Sequence, residues 1–147
     1  MRQRFSGFTL LELLVVVALI AVGTVGVGLA LRDSGQAALE AQAQALAALL
    51  ESGRAQSRAT GVPVRWKPVP GGFEWVGLDN SGPDALPTTW RTEGIQAQVA
   101  APLLLGPEPL IGAQSVQLWR AEQPQQRITV ATNGVGPFAI VYNESKP

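Results

Sequence analysis

Leu13 to Leu31 are nineteen consecutive residues without a charge, and they stand directly after a glutamate, Glu12. That pairing limits what the N-terminal part of the chain can become. As an α-helix at 1.5 Å per residue the run is roughly 28 Å long, close to the ~30 Å hydrocarbon core of a bilayer, so it reads as a transmembrane helix. Arg2 and Arg4 precede it, while Arg32 at its other end is followed at once by Asp33. The positive-inside bias therefore leaves the N-terminus in the cytoplasm and carries the rest of the chain across the membrane.

Glu12 is the obstacle to the two simplest readings. A secretory signal peptide has an apolar core of about 7–15 residues and small residues before its cleavage point. Gly28 and Ala30 could serve as those small residues, but the run is too long, and a disposable peptide gains nothing from a carboxylate at its head. A plain signal anchor leaves Glu12 equally unexplained. On insertion scales an intramembrane carboxylate costs about 2.5–3.5 kcal/mol, so it is read as functional, with a partner to be named. The same helix offers none, because no Lys or Arg occurs between Glu12 and Arg32. Cleavage between Gly7 and Phe8 would supply one. A new α-amino group on Phe8, one helical turn before Glu12, could neutralise the carboxylate of its own chain or of a neighbour in low dielectric.

The stretch Gly-Phe-Thr-Leu-Leu-Glu, Gly7 to Glu12, has a short basic leader before it and a long apolar run after it. It resembles the class III signal of type IV pilins and type II secretion pseudopilins. The resemblance implies that a prepilin peptidase cuts between Gly7 and Phe8 and methylates the Phe8 amine, and that Glu12 guides addition of the subunit to a filament. Many major pilins carry a proline late in this helix, whereas this chain has Gly23, Gly26 and Gly28. Glycine weakens a helix interior by roughly 1 kcal/mol relative to alanine, which would permit local melting or bending. It equally lets neighbouring helices approach closely, and the two readings stand side by side.

After the polar group Asp33-Ser34-Gly35, Leu39, Ala43, Leu46, Leu50 and Gly53 follow steps of four, three, four and three. They mark the core-facing stripe of an amphipathic helix, with Gln42, Gln44 and Glu51 off it. Gly61 and Pro63 end that helix, and short β-branched runs separated by turn signals take over. Val62–Lys67 and Phe73–Leu78 read as a hairpin turning at Gly71-Gly72. Ser115–Ala121, Arg127–Thr132 and Pro137–Tyr142 read as later strands, the last two joined through Asn133-Gly134. Between Asp79 and Gly112 the chain is rich in Pro and Gly and reads as long loops around a weak strand near Ala97–Ala101.

The chain beyond the apolar run is long enough for one small domain with a modest core. The eleven basic and eleven acidic residues balance, and setting aside Arg2, Arg4 and Glu12 leaves nine against ten beyond Leu31. Such a head has no global field to draw in nucleic acid. Arg54, Arg58, Arg65 and Lys67 could form a local basic patch, but they read as a solvated helix end. The absence of Cys and His removes disulfides, thiol nucleophiles, ordinary zinc sites and imidazole chemistry. No spacing brings together paired acids or a Ser-Lys dyad, so the expectation is a protein without catalytic residues, cofactor or metal. Asp79 to Asp84 is faintly like a calcium loop, yet it lacks the later glutamate and contains a proline, and it reads as a surface turn. Trp66, Trp75 and Trp119 fall in expected strands and read as core rather than as a sugar-binding face.

The expected fold class is α+β: a long N-terminal helix, transmembrane in its first half, packed on a small antiparallel β-sheet or sandwich head. The expected organisation is a leader over 1–7, a transmembrane helix over 8–31, a periplasmic amphipathic helix over 32–60 and a periplasmic β head over 61–147. This is the pilin-like order. Residues 46–77, an Ala-rich helix running into Gly-Val-Pro-Val, and the ending Ile128–Tyr142 are similar to the H-type minor pseudopilin family. The resemblance implies a bacterial inner-membrane protein that joins a short periplasmic filament at or near its tip. Its implied partners are prepilin peptidase, the other minor pseudopilins, the major pseudopilin and the inner-membrane assembly platform. The alternatives are a minor pilin of a type IV pilus, serving adhesion, twitching or DNA uptake, and a membrane-anchored periplasmic binding module. Residues 79–114 match no family pattern and are a candidate for partner specificity.

Overall fold

The computed structural model describes residues 9–142, apart from the side chains at 25, 26 and 28–33. The order is one helix followed by seven strands, an α+β architecture of pilin-like type. The helix, α1, runs from Leu10 to Thr60 and continues through Asp33-Ser34-Gly35. The chain divides into two units, Met1–Gln36 and Ala37–Pro147, the second forming the head.

In the head, the stripe read from the sequence is the buried face of α1. Leu39, Ala43, Leu46 and Leu50 are at most 1% exposed, and Gly53 is buried against the Trp75 ring and Leu105. The helix ends where Gly61 donates its N–H to the Ser57 carbonyl at 2.9 Å, a single-bond cap that uses a residue free to turn left-handed. The Ser57 hydroxyl donates to the Val62 carbonyl at 2.7 Å and fixes the exit of the chain.

Two antiparallel sheets receive this face. The first has the order β2-β1-β4, with β1 Arg65–Val69, β2 Gly72–Val76 and β4 Leu103–Leu104. The second has the order β3-β5-β6-β7, with β3 Ile95–Gln98, β5 Gln114–Arg120, β6 Gln123–Thr132 and β7 Ala139–Val141. One hydrophobic core joins them to the helix. Trp66 and Phe73 from the first sheet and Val116, Leu118 and Val130 from the second are all at most 1% exposed. Trp66, Phe73 and Trp90 meet in tilted and edge arrangements with centroids 4.8–6.3 Å apart, as the aromatic quadrupole favours.

Several sequence expectations shift by physical detail. The first hairpin turns at Pro70-Gly71, since Val69 pairs with Gly72; proline presets the first turn position and Gly71 supplies φ +77° at the second. The region expected as loops around one weak strand contributes β3, β4 and the core residues Ile95, Leu103, Leu105 and Ile111. Trp66 is core as expected, whereas Trp75 is half-buried and donates Nε1–H to the Pro87 carbonyl at 2.9 Å. Trp119 lies on the outer face under the Arg127 guanidinium, 4.4 Å from its centroid.

The largest correction concerns the polar helix residues. Gln42, expected off the stripe, is 3% exposed, and its Oε1 accepts the Arg91 N–H at 3.1 Å. Arg54, expected in a solvated basic patch, is 2% exposed. Its guanidinium donates to the carbonyls of Gly136 at 3.0 Å, Gly134 at 3.2 Å and Pro109 at 3.3 Å. Glu51 Oε1 stands 3.6 Å from it and accepts the Phe138 N–H at 3.0 Å. Lys67 is paired with Glu74 at 2.9 Å, so of the four cations Arg58 and Arg65 are the exposed ones without an ion-pair partner among the described residues.

Arg54→Ala would leave the Pro109 carbonyl without this donor, take one of two donors from the carbonyls of Gly134 and Gly136, and remove the cation beside Glu51. It is expected to lower the unfolding free energy by about 1–3 kcal/mol, measured by denaturant unfolding of the chain in detergent micelles. At the start of the head helix the exposed Tyr142 hydroxyl donates to Glu40 Oε1 at 2.6 Å. This bond, with minor contributions from burial and the Glu40 charge, raises the Tyr142 hydroxyl above its usual 10.0. The folded pKa is thus the higher one. The contribution is complete below the unfolded value and lost as pH rises through the folded one. Tyr142→Phe is expected to flatten the decline in melting temperature on the alkaline side of pH 10 and to leave neutral-pH unfolding cooperative.

Candidate assembly site

A helix leaves its first four N–H groups unpaired, and the residue just before it can supply an acceptor. Here that residue is Thr9. Its Oγ1 accepts the Glu12 N–H at 3.3 Å and its carbonyl accepts the Leu13 N–H at 3.2 Å. Thr9-Leu10-Leu11-Glu12 has the Thr-x-x-Glu spacing of a capping box, a local signal that the reading of Glu12 as an intramembrane charge passes over. Glu12 therefore occupies the first turn of α1, where a negative charge complements the helix dipole.

Magnitudes decide whether that accounts for it. A carboxylate at a helix N-terminus gains about 0.3–1 kcal/mol, against the 2.5–3.5 kcal/mol cost of a charge in hydrocarbon. If this turn enters a bilayer, the cap offsets a minor part of the cost. Among the described residues no basic group pairs with the Glu12 carboxylate, whose residue is exposed. Gly7 and Phe8, the expected cleavage pair, and the leader over 1–7 lie outside the described residues.

Around Glu12 the helix is apolar on every side. Leu10, Leu11, Leu13, Leu14, Val17, Leu19, Ile20 and Val22 are each more than half exposed. A helix hydrophobic all round calls for an apolar environment or other helices against it. Among the described residues, no helix is long and apolar enough to cross a membrane. The run Leu13–Leu31 includes side chains at 25, 26 and 28–31 that are not described, so the spanning reading rests on the sequence.

Elsewhere the polar residues singled out from the sequence serve local turns. Asp79 Oδ1 accepts from the Ser81 hydroxyl and, at 3.3 Å, from the Ser81 N–H, and these bonds hold its carboxyl below the usual carboxylate value. Asn80 pairs through its amide with both backbone groups of Leu86, at 2.6 and 2.8 Å. Among the described residues no group of three or more acidic, His or Cys side chains is placed to hold a metal ion.

Residues 2–28 match the prokaryotic N-terminal methylation motif. The chain thus carries a type IV pilin-like signal, with Thr9 and Glu12 inside the matched residues. The match ends before the head begins. No curated protein and no solved structure matches the chain.

Thr9→Ala removes the cap acceptor and Thr9→Ser keeps it. The alanine variant is expected to lose about 1 kcal/mol at the helix start, seen as roughly fivefold faster amide exchange at Glu12 in micelles, with the serine variant close to the parent.

Proposed function

We propose that this protein is a minor pseudopilin of the H type, a subunit of a type II secretion system. It is inserted in the bacterial inner membrane by a single span, its N-terminus cytoplasmic and its head periplasmic. Prepilin peptidase cuts between Gly7 and Phe8 and methylates the Phe8 amine. The subunit then enters a short periplasmic filament at or near the tip, beside the other minor pseudopilins and the major pseudopilin, on the inner-membrane assembly platform. The role is assembly rather than catalysis.

The observation that carries this reading is the single carboxylate, Glu12, in the first turn of an all-round apolar and exposed helix inside a matched methylation motif. Apolar side chains alone give helices little to choose between neighbouring registers, because in lipid their association relies on packing. A charge that must be neutralised selects one register. A Phe8 amine on an adjoining subunit brings the opposite charge at the helix N-terminus.

The test is the mass and N-terminal sequence of the protein from membranes of cells with and without prepilin peptidase. A chain beginning at methylated Phe8 only when the peptidase is present is the expected result; one beginning at Met1 or near Leu31 in both strains overturns it. Glu12→Ala is expected to leave processing and membrane insertion intact while cutting co-purification with pilin-like partners by tenfold or more, consistent with an ion pair worth over about 1.4 kcal/mol. Loss of protein export with intact pili separates the secretion role from that of a type IV minor pilin.

A further inference from the structure

The two sheets of the head treat their edges differently. The outer edge of β2 is covered by the segment before Trp90: the Phe73 N–H donates to the Thr88 carbonyl at 2.9 Å, and Gly72 bridges Thr89. The fit is close enough that a Cβ on Gly72 would lie 2.3 Å from the Thr88 oxygen. The outer edge of β4 is closed by a side chain. Gln114 Oε1 accepts the Leu104 N–H at 2.6 Å and its Nε2 donates to the Leu104 carbonyl at 2.8 Å, so one amide stands in for a neighbouring strand.

β3 has no such cover. The Ala121 N–H donates to the Gly94 carbonyl at 2.8 Å, and the register of β3 on β5 places those two residues opposite each other. In an antiparallel ladder bonded and non-bonded pairs alternate. Gln96 with Trp119 and Gln98 with Gln117 are therefore the bonded pairs, and the N–H and C=O groups of Ile95 and Ala97 point away from β5. Among the described residues they meet no partner there. Ile95, Gln96 and Ala97 line a groove of about 290 Å³ together with Pro68, Val69, Pro70 and Trp90.

We propose that this groove receives an extended segment of a partner polypeptide, which adds to the outer edge of β3. Two open N–H and C=O sets two residues apart, about 6.8 Å, repeat at the spacing of an extended backbone, which identifies the occupant's chemistry as peptide. The usual protections of an exposed edge are missing: β3 reads Ile-Gln-Ala-Gln, with no lysine, proline or charge. The proline and tryptophan wall suits uncharged side chains of the incoming strand. This inference does not rest on processing at Gly7 or on Glu12, and either reading can fail alone.

The test uses the full ¹⁵N-labelled chain in detergent micelles with the capped peptide acetyl-Thr-Val-Thr-Val-Thr-Val-amide, titrated into the millimolar range. The expected result is amide exchange slowed about fivefold or more at Ile95 and Ala97, with Gln96 and Gln98 unchanged. A peptide N-methylated at every residue, with no backbone donor along either edge, is expected to give no slowing. Ala97→Pro deletes one outward N–H and spares the bonds to β5, so it is expected to abolish the effect at Ile95. No slowing at any of these amides overturns the proposal, as does slowing at all four alike. Protection at Ile95 and Ala97 that grows with protein concentration in the absence of peptide also overturns it, since the edge would then be an interface between two copies of this chain.

Discussion

The head depends on the guanidinium of Arg54. Removing a charged group from water costs several kcal/mol, so the site persists only where partners replace the lost hydration. Here they come from residues more than fifty positions away, the carbonyls of Pro109, Gly134 and Gly136, with Glu51 one turn earlier on the same helix. A planar fork suits this task because three acceptors on two separate loops lie within reach of one rigid group; an ammonium, a point charge on a flexible stem, has no such fixed geometry. The loops lie outside the strand ladders and, among the described residues, share one backbone bond, Ile111 N–H to the Gly134 carbonyl at 3.3 Å. Glu51 extends the same network to the Phe138 N–H at the entry of β7. The last strand is thereby fastened to the helix by charge-assisted bonds as well as by burial.

The helix face was legible in the sequence and its polar members were not, for one reason. Leu39, Ala43, Leu46 and Leu50 declare the stripe by type and spacing together. Gln42 sits three residues after Leu39 and four before Leu46, and Arg54 sits four after Leu50 and three before Ser57, so spacing alone places both on the buried face. Their chemistry argues for the outside. What reverses that argument is a set of partners supplied by residues 91 and 109–136, which no local window contains. The stretch from Asp79 to Gln114 fails for the opposite reason. Its core residues Ile95, Leu103, Leu105 and Ile111 are apolar, but Pro and Gly divide them into runs too short for a period to emerge, and β4 is two residues long.

At the N-terminus the motif was legible and the cap was not. Reading Glu12 as a charge looking for a partner overlooks its backbone, which is already engaged by Thr9. The two roles operate on different groups of one residue. Its N–H satisfies the helix start, and its carboxylate is left over, with the dipole offsetting a fraction of what a membrane would charge for it. A residue whose only role was capping would not need to be acidic, since the acceptor here is the threonine hydroxyl. The cap makes no use of that acidity.

These two ends suggest a division of labour between uniform and individual contacts. The apolar surface from Leu10 to Val22 is built of aliphatic side chains, and such a surface packs with many similar helices at nearly equal cost. Under the proposed assembly role, register along it comes from a sparse polar element, and one carboxylate would suffice because its mispairing costs more than a shift in van der Waals contacts gains. The head cannot discriminate by long-range field, since the residues beyond Leu31 balance to within one charge. Its specificity must reside in short-range directional groups. An open strand edge provides them, because backbone donors and acceptors define both the axis and the register of whatever pairs with them, while the flanking wall of Pro68, Pro70 and Trp90 selects side chains. Among the described residues the outer edges of β2 and β4 are closed, by the segment before Trp90 and by the Gln114 amide, while the outer edge of β3 keeps its backbone groups open.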